Sequence, residues 1–188
     1  MQHNVKIFKA WRLASMAHAT QTRKYNGDRY IVHLAEVAAL TSIFTDGYVD
    51  AICAAWLHDI IEDQGYPLAN INEEFGDVVA GYVDALTEKR PEGFNRKQRH
   101  ALYNTQLGDA PEAVQCVKAA DIISNVGSIA KNDPKFAVTY IPEKRATLEV
   151  LTKLSPTVRI AVAIEISNAQ RILDESRVQD WLEKKQNE

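Results

Sequence analysis

His58-Asp59-Ile60-Ile61-Glu62-Asp63 closes the apolar run Ala51-Ile52-Cys53-Ala54-Ala55-Trp56-Leu57. Nothing in that run breaks a helix, so the pattern predicts one helix carrying all six residues. At about 3.6 residues per turn, His58 lies above Glu62 and Asp59 above Asp63, while Ile60 and Ile61 turn away. An imidazole and three carboxylates then crowd one quarter of a helix. Like charges at that spacing repel, and more strongly when buried. Three acids kept beside a histidine at the edge of a buried stretch call for a compensating cation.

A metal site needs ligands from more than one element, and two other residues qualify. His33 follows Tyr30-Ile31-Val32 near the start of a helix, with Val37 and Leu40 alongside. Asp121 sits in Val117-Lys118-Ala119-Ala120-Asp121-Ile122-Ile123, where aspartate is a poor helix former and burial is costly without a partner. Asn125 lies one turn further on the same face. His33, His58, Asp59 and Asp121 form a mixed nitrogen–oxygen set on three helices. Such a set suits Mn²⁺, Fe²⁺ or Zn²⁺ with positions open to water and substrate.

The order His33 … His58-Asp59 … Asp121 resembles the metal-binding pattern of HD-domain phosphohydrolases. The words Arg23-Lys24 … Gly27 … Tyr30-Ile31 … His33, His58 to Asp63, and Lys118-Ala119-Ala120-Asp121 … Asn125 are similar to the hydrolase domain of RelA/SpoT enzymes and to small alarmone hydrolases. The likeness spans about residues 20–155 and includes the start Pro142-Glu143-Lys144-Arg145. It implies Mn²⁺-dependent removal of the 3′-diphosphate of (p)ppGpp with release of pyrophosphate, and a hydrolase with no synthetase domain. By that resemblance His33, His58, Asp59 and Asp121 hold the metal, and Glu62 and Asp63 orient and deprotonate the attacking water. Arg23 lies against the purine, Lys24 near the phosphates, and Asn125 on the ribose. The chemistry is coherent: a metal lowers the pKa of water from about 16 towards about 7, and a carboxylate not spent as a ligand is the natural base.

The chain also departs from the family. Arg29 and Leu34 stand where the family commonly has proline. Ile122 and Ser124 replace a basic residue and a His or Tyr, so an adenosine alarmone such as (p)ppApp joins the guanosine ones as a substrate. Ser124 is expected near the rim of the site and Ile122 against a neighbouring helix. Arg96, Lys97 and Arg99 form a basic run within reach of substrate phosphates, as does Arg145. The alternative function on the same metal is a nucleotide phosphomonoesterase, including a phosphatase of the NADPH 2′-phosphate. A helical sensor that binds without cleaving has no use for Glu62 and Asp63.

The remainder of the chain predicts an all-α bundle of about eight to ten helices. Helices are expected over 5–19, 30–44, 49–63, 70–75 (opened by an Asn70–Glu73 capping box) and 77–87. Others follow from Asp109-Pro111-Glu112 to Asn132, from Pro142 to about 154, and from Ser155-Pro156 through Ile172, with a last helical segment to Trp181. The stretch 88–94 and the basic run after it are read as loop. The 188 residues suit one domain, 1–188, with 46% hydrophobic and 25% charged residues, ordinary values for a globular protein. A net charge of −3 argues against a general nucleic-acid or membrane-surface binder. No apolar run reaches ~18 residues, as a membrane span requires. Met1-Gln2-His3-Asn4 lacks a secretory pattern. Cys53 and Cys116 read as small core residues of a reducing compartment, so a cytoplasmic protein is expected, and the resemblance implies a small nucleotide substrate. His3, His18 and His100 read as surface or packing residues, and Trp11, Trp56 and Trp181 as core or interface.

Overall fold

The structure, a computed structural model, describes residues 2–186. These form α1 (Gln2–Ala17), α2 (Tyr30–Phe44), α3 (Val49–Leu57), α4 (Ile60–Gln64), α5 (Leu68–Phe75), α6 (Asp77–Leu86), α7 (Arg96–Asp109), α8 (Glu112–Asn132), α9 (Pro134–Val150) and α10 (Pro156–Gln186). The expected all-α class is the one observed. The long α8 is the central helix, packed by α10, α2, α9 and α3. Its Val114, Val117, Ala120, Ile122, Val126 and Ile129 are buried. One cluster of buried apolar residues runs from Ala10 on α1 to Leu173 on α10. Cys53 and Cys116 are buried and free, as small core residues. Ile122 is fully buried in this core. No helix among the described residues is long and apolar enough to cross a membrane.

Several boundaries differ from the pattern. The helix predicted over 49–63 is two: α3 stops at Leu57, His58 and Asp59 form a turn, and α4 begins at Ile60. Asp59, at φ −101° and ψ −1°, stays right-handed but off ideal helix values, at the edge of the bridge region, a departure that residue type alone does not announce. α4 ends at Gly65, whose N–H bonds the Ile61 carbonyl at 3.1 Å and whose left-handed φ of +64° turns the Tyr66 N–H back to the Ile60 carbonyl at 3.3 Å. Helix α5 starts directly after Pro67, so Asn70 is a helix-interior residue and no capping box forms with Glu73. The basic run is not loop: Asn95 and Gln98 make a reciprocal capping box that opens α7 on Arg96. Asp109 ends α7 instead of capping α8, and Pro111 stands at that cap. Asp133 caps α9, accepting from Phe136 N at 3.0 Å, and Pro142 is carried inside the helix it was expected to start. The segments after Ser155 are one helix, α10.

Trp56 packs against the core, whereas Trp11 and Trp181 are exposed. His18 is buried against the Tyr30 ring at 5.2 Å. His100 is half-buried, and the surroundings of the His3 side chain lie outside the described residues.

Candidate metal centre and active site

The break at His58–Asp59 decides the geometry of the site. On a continuous helix, adjacent side chains diverge by about 100°. Here His58 Nε2 and Asp59 Oδ2 lie 3.0 Å apart. His33, from the first turn of α2, brings its Nε2 to 3.6 Å from the same Asp59 oxygen. His33, His58 and Asp59 offer ligand atoms that all lie within 4.8 Å of one another. Asp121, from the middle of α8, places Oδ1 3.5 Å from His33 Nε2 and 3.9 Å from His58 Nε2. Residues distant in sequence therefore meet at one point. Tyr30 closes the group by donating its hydroxyl to Asp59 Oδ2.

The donor set fits a divalent cation. His33 Nε2 and His58 Nε2 are buried with no hydrogen-bond partner, an arrangement that costs roughly 1–3 kcal/mol per group without a ligand. Either ring, once its Nε2 carries no proton, would offer that nitrogen to an ion. His58 Nδ1 lies 2.8 Å from the Ala55 carbonyl, which only accepts, so Nδ1 carries the hydrogen. His33 Nδ1 lies 2.9 Å from Ser124 Oγ. Two imidazoles and two carboxylates at these positions suit an octahedral divalent transition metal with two positions left for water and substrate.

Electrostatics describe the same centre. Burial alone disfavours protonation of His58, but the Asp59 and Asp121 carboxylates outweigh it and push the ring up to about 9. Burial works against the Asp59 charge as well, and His58 and His33 overcome it, holding the carboxyl well below its ordinary range. Asp121 is likewise held low against burial, mainly by Lys118. Lys118 Nζ donates to Asp121 Oδ2 at 2.8 Å and sits 5.1 Å from the centre of the Tyr103 ring. Asn125 Nδ2 donates to the other oxygen, Oδ1, at 2.6 Å. Lys118 is thus a buried cation of the site that was legible only as part of a motif word.

A cavity of about 360 Å³ opens from this cluster. His58, Asp59, Glu62, Asp121 and Asn125 line it, with Tyr30, Tyr103 and Tyr140. Its cations are Arg90, Arg96, Arg99, Lys118 and Lys144, beside His100, with Glu88 and Glu143 among them. Glu62 Oε1 accepts from the Glu88 backbone N–H at 2.7 Å, and Oε2 from Arg90 at 3.0 Å. Burial raises the Glu62 carboxyl, partly opposed by the Glu88 N–H. Burial and the neighbouring Lys118 bring Lys144 down to about 8. Arg96 pairs with both oxygens of Glu143 at 2.8 and 2.7 Å and lies over the Phe136 ring.

The remaining sequence candidates are placed differently. Asp63 is exposed and does not line the cavity, accepting from Gln21 Nε2 at 2.7 Å. Arg23 is a side chain only 9% exposed, tied by Nη2 to Ser124 O at 2.9 Å and Asn125 Oδ1 at 2.8 Å. Ser124 is not at the rim; it stands behind His33. Lys24 is exposed beside Tyr25, and Lys97 and Arg145 are exposed and do not line the cavity. Helix phase explains the last two: Arg96, His100 and Tyr103 on α7, and Lys144 on α9, take the inward positions their neighbours miss.

Curated relatives share this stretch. The chain is 31% identical over 151 residues to the probable GTP pyrophosphokinase of Mycobacterium leprae, covering 80% of this chain and 16% of that protein. It is 32% identical over 130 residues to the guanosine-3′,5′-bis(diphosphate) 3′-pyrophosphohydrolase of Aquifex aeolicus, covering 68% and 18%. The chain thus spans less than a fifth of the length of these bacterial relatives. Against the Drosophila melanogaster guanosine-3′,5′-bis(diphosphate) 3′-pyrophosphohydrolase MESH1, identity is 25% over 135 residues, covering 70% and 73%. A solved structure described as a metazoan ortholog of SpoT that hydrolyzes ppGpp has the same fold. Its TM-score is 0.76 at 20% identity, covering 88% of this chain and 94% of that one. Residues 10–168 match the family described as HD domain, and the chain belongs to the HD-domain family.

Proposed function

We propose that this protein hydrolyses the 3′-diphosphate of purine alarmones such as (p)ppGpp and (p)ppApp, releasing pyrophosphate, with Mn²⁺ held by His33, His58, Asp59 and Asp121. The observation that carries the reading is the meeting of two partnerless imidazole nitrogens and two carboxylates at a cavity also lined by cations. Relatives named as 3′-pyrophosphohydrolases support the choice of reaction. The bound ion supplies Lewis acidity at the phosphate and acidifies water.

The chain's own residues do the rest. Glu62 takes the proton of the attacking water; its raised pKa brings a carboxylate closer to the working pH of a base. Asp63, one residue on, steadies the chain around Glu62 through Gln21. Arg96, Arg99 and Lys144 meet the phosphate oxygens, while Lys118 keeps Asp121 ionised. Asn125, which lines the cavity, holds the ribose side of the site, and Arg23 positions it through the 2.8 Å bond to its Oδ1. Lys24, Lys97 and Arg145 contribute long-range attraction for an anionic substrate. Residues 1–188 form one domain on this reading, and the protein works in the cytoplasm on a small nucleotide, not on a nucleic acid or a membrane.

With Ser124 engaged by His33, no side chain at that position reads the base. Guanosine and adenosine alarmones should then be cleaved within about tenfold of each other, ~1.4 kcal/mol in transition-state binding. Incubating the Mn²⁺-treated protein with ppGpp, pppGpp, ppApp and NADPH, and separating the products, tests the proposal. Pyrophosphate from the alarmones supports it. Orthophosphate from NADPH with the alarmones intact assigns the site to monoester hydrolysis instead.

A further inference from the structure

The two histidines of the centre fix their tautomers by different means. His58 gives its Nδ1 hydrogen to a main-chain carbonyl. His33 instead faces a hydroxyl, which can donate or accept, so its partner alone does not define which nitrogen is free. The next bond settles it. Ser124 Oγ lies 2.5 Å from Glu36 Oε2, and a hydroxyl has one hydrogen. A carboxylate only accepts, so the Ser124 hydrogen goes to Glu36. Ser124 Oγ is then the acceptor at 2.9 Å from His33 Nδ1, and the Nε2 lone pair points at Asp59 and Asp121.

We propose that Glu36 and Ser124 are positioning residues for the metal centre, a two-step relay that holds His33 in its Nδ1–H tautomer and orients its free Nε2 towards the ion. The inference rests on the metal-centre reading above and deepens it. Both residues sit one turn from a candidate ligand, Glu36 at three residues after His33 on α2 and Ser124 at three after Asp121 on α8. The relay therefore couples the two helices that supply those ligands. Arg23 braces it from outside, with Nη1 3.5 Å from Glu36 Oε2 and Nη2 2.9 Å from the Ser124 carbonyl. Such outer partners usually govern metal affinity by ten- to a hundredfold. Glu36 is half-exposed at 49% of its side chain, so its replacement leaves the core intact.

The test combines Mn²⁺ titration calorimetry with nitrogen-15 spectra of the His33 ring in metal-free protein. Ser124→Ala should weaken Mn²⁺ binding about 10–100-fold and let the Nε2–H tautomer of His33 appear. Ser124→Thr, which keeps the hydroxyl, should restore most of the affinity. Glu36→Gln should weaken binding with unchanged helicity, because an amide no longer fixes the direction of the Ser124 hydrogen. Wild-type affinity and an unchanged His33 signature in both Ser124→Ala and Glu36→Gln would overturn the relay while leaving the metal centre standing. Absence of Mn²⁺ binding by the unaltered protein would overturn the centre and the relay together.

Discussion

Replacing Lys118 with methionine removes a buried ammonium while keeping most of its hydrocarbon stem in place. The ammonium lies 2.8 Å from Asp121 Oδ2, with side chains 12% and 9% exposed. At an effective dielectric constant near 20, that separation corresponds to about 6 kcal/mol of attraction. Desolvation of both groups offsets part of it. Breaking such a buried pair by removing one partner costs about 3–5 kcal/mol, because the other charge is left behind. Protonated His58, 3.9 Å from Asp121 Oδ1, covers some of the orphaned charge, which places the loss near the lower end at neutral pH. Lys144, no longer repelled by Lys118, also holds its proton more firmly. Urea unfolding followed by circular dichroism, in chelator, reads the loss directly. Mn²⁺ at about a hundred times its dissociation constant should return about 2.7 kcal/mol by mass action. The double replacement Lys118→Met with Asp121→Asn should be less damaging than the sum of the two. A loss below about 1 kcal/mol for Lys118→Met in chelator, or strict additivity in the double variant, would refute the pairing argument.

Metal-free stability should fall by about 3 kcal/mol as pH rises from 6.5 through about 9, since a histidine with a raised folded pKa stabilises fully only below its unfolded value. Urea midpoints across that window check it; a flat profile would count against the His58–carboxylate cluster. Divalent-metal affinity should rise over the same window, because His58 must release the Nε2 proton that stands where the ion binds; calorimetry at several pH values measures it. Glu62→Gln should keep metal binding and lose about 10²–10⁴ in turnover, and Asp63→Asn, off the cavity, should lose less. Pyrophosphate-release rates compare the two, and a larger loss at Asp63 would move the base there. Gln115→Ala should cost about 3 kcal/mol. Its fully buried amide donates to the Leu107 carbonyl and accepts from Lys153 N, so truncation leaves both without a partner, and chemical denaturation reads the cost.

The helical periods of α2 and α8 were legible in the sequence because each combines an apolar stripe with one misplaced polar residue, His33 or Asp121. Those two side chains, with His58 and Asp59, do converge. The turn between α3 and α4 was not legible: Leu57, His58, Asp59 and Ile60 are all compatible with a helix, and only tertiary packing bends the chain there. The basic run has no apolar period and so reads as loop, although the Asn95–Gln98 box is itself a helix-start signal. Once α7 is a helix, its inward side chains follow from phase, as Arg96 and His100, four apart, show. Lys118 lay unnoticed within its motif word because a lysine in a helix is usually a solvated side chain, and burial is not written in residue type. Ser124 was read against its relatives' residues, whereas its place follows from Glu36, a partner 88 residues away.

Helix α8 also acts as a ruler. Lys118, Asp121, Ser124 and Asn125 occupy one stripe, and Val117, Ile122, Val126 and Ile129 are held in the apolar interior. A single residue inserted between 115 and 118 would turn everything downstream by about 100° and advance it about 1.5 Å. The polar stripe would then press into oil, and apolar side chains would face the cavity. The 88–94 segment between α6 and α7 has no helical register to keep, and its ties to the site lie at its start, where the Glu88 N–H and Arg90 hold Glu62. Length variation in this protein should therefore be excluded from the middle of α8 and tolerated at 91–94, beyond the Glu88 and Arg90 bonds that hold Glu62.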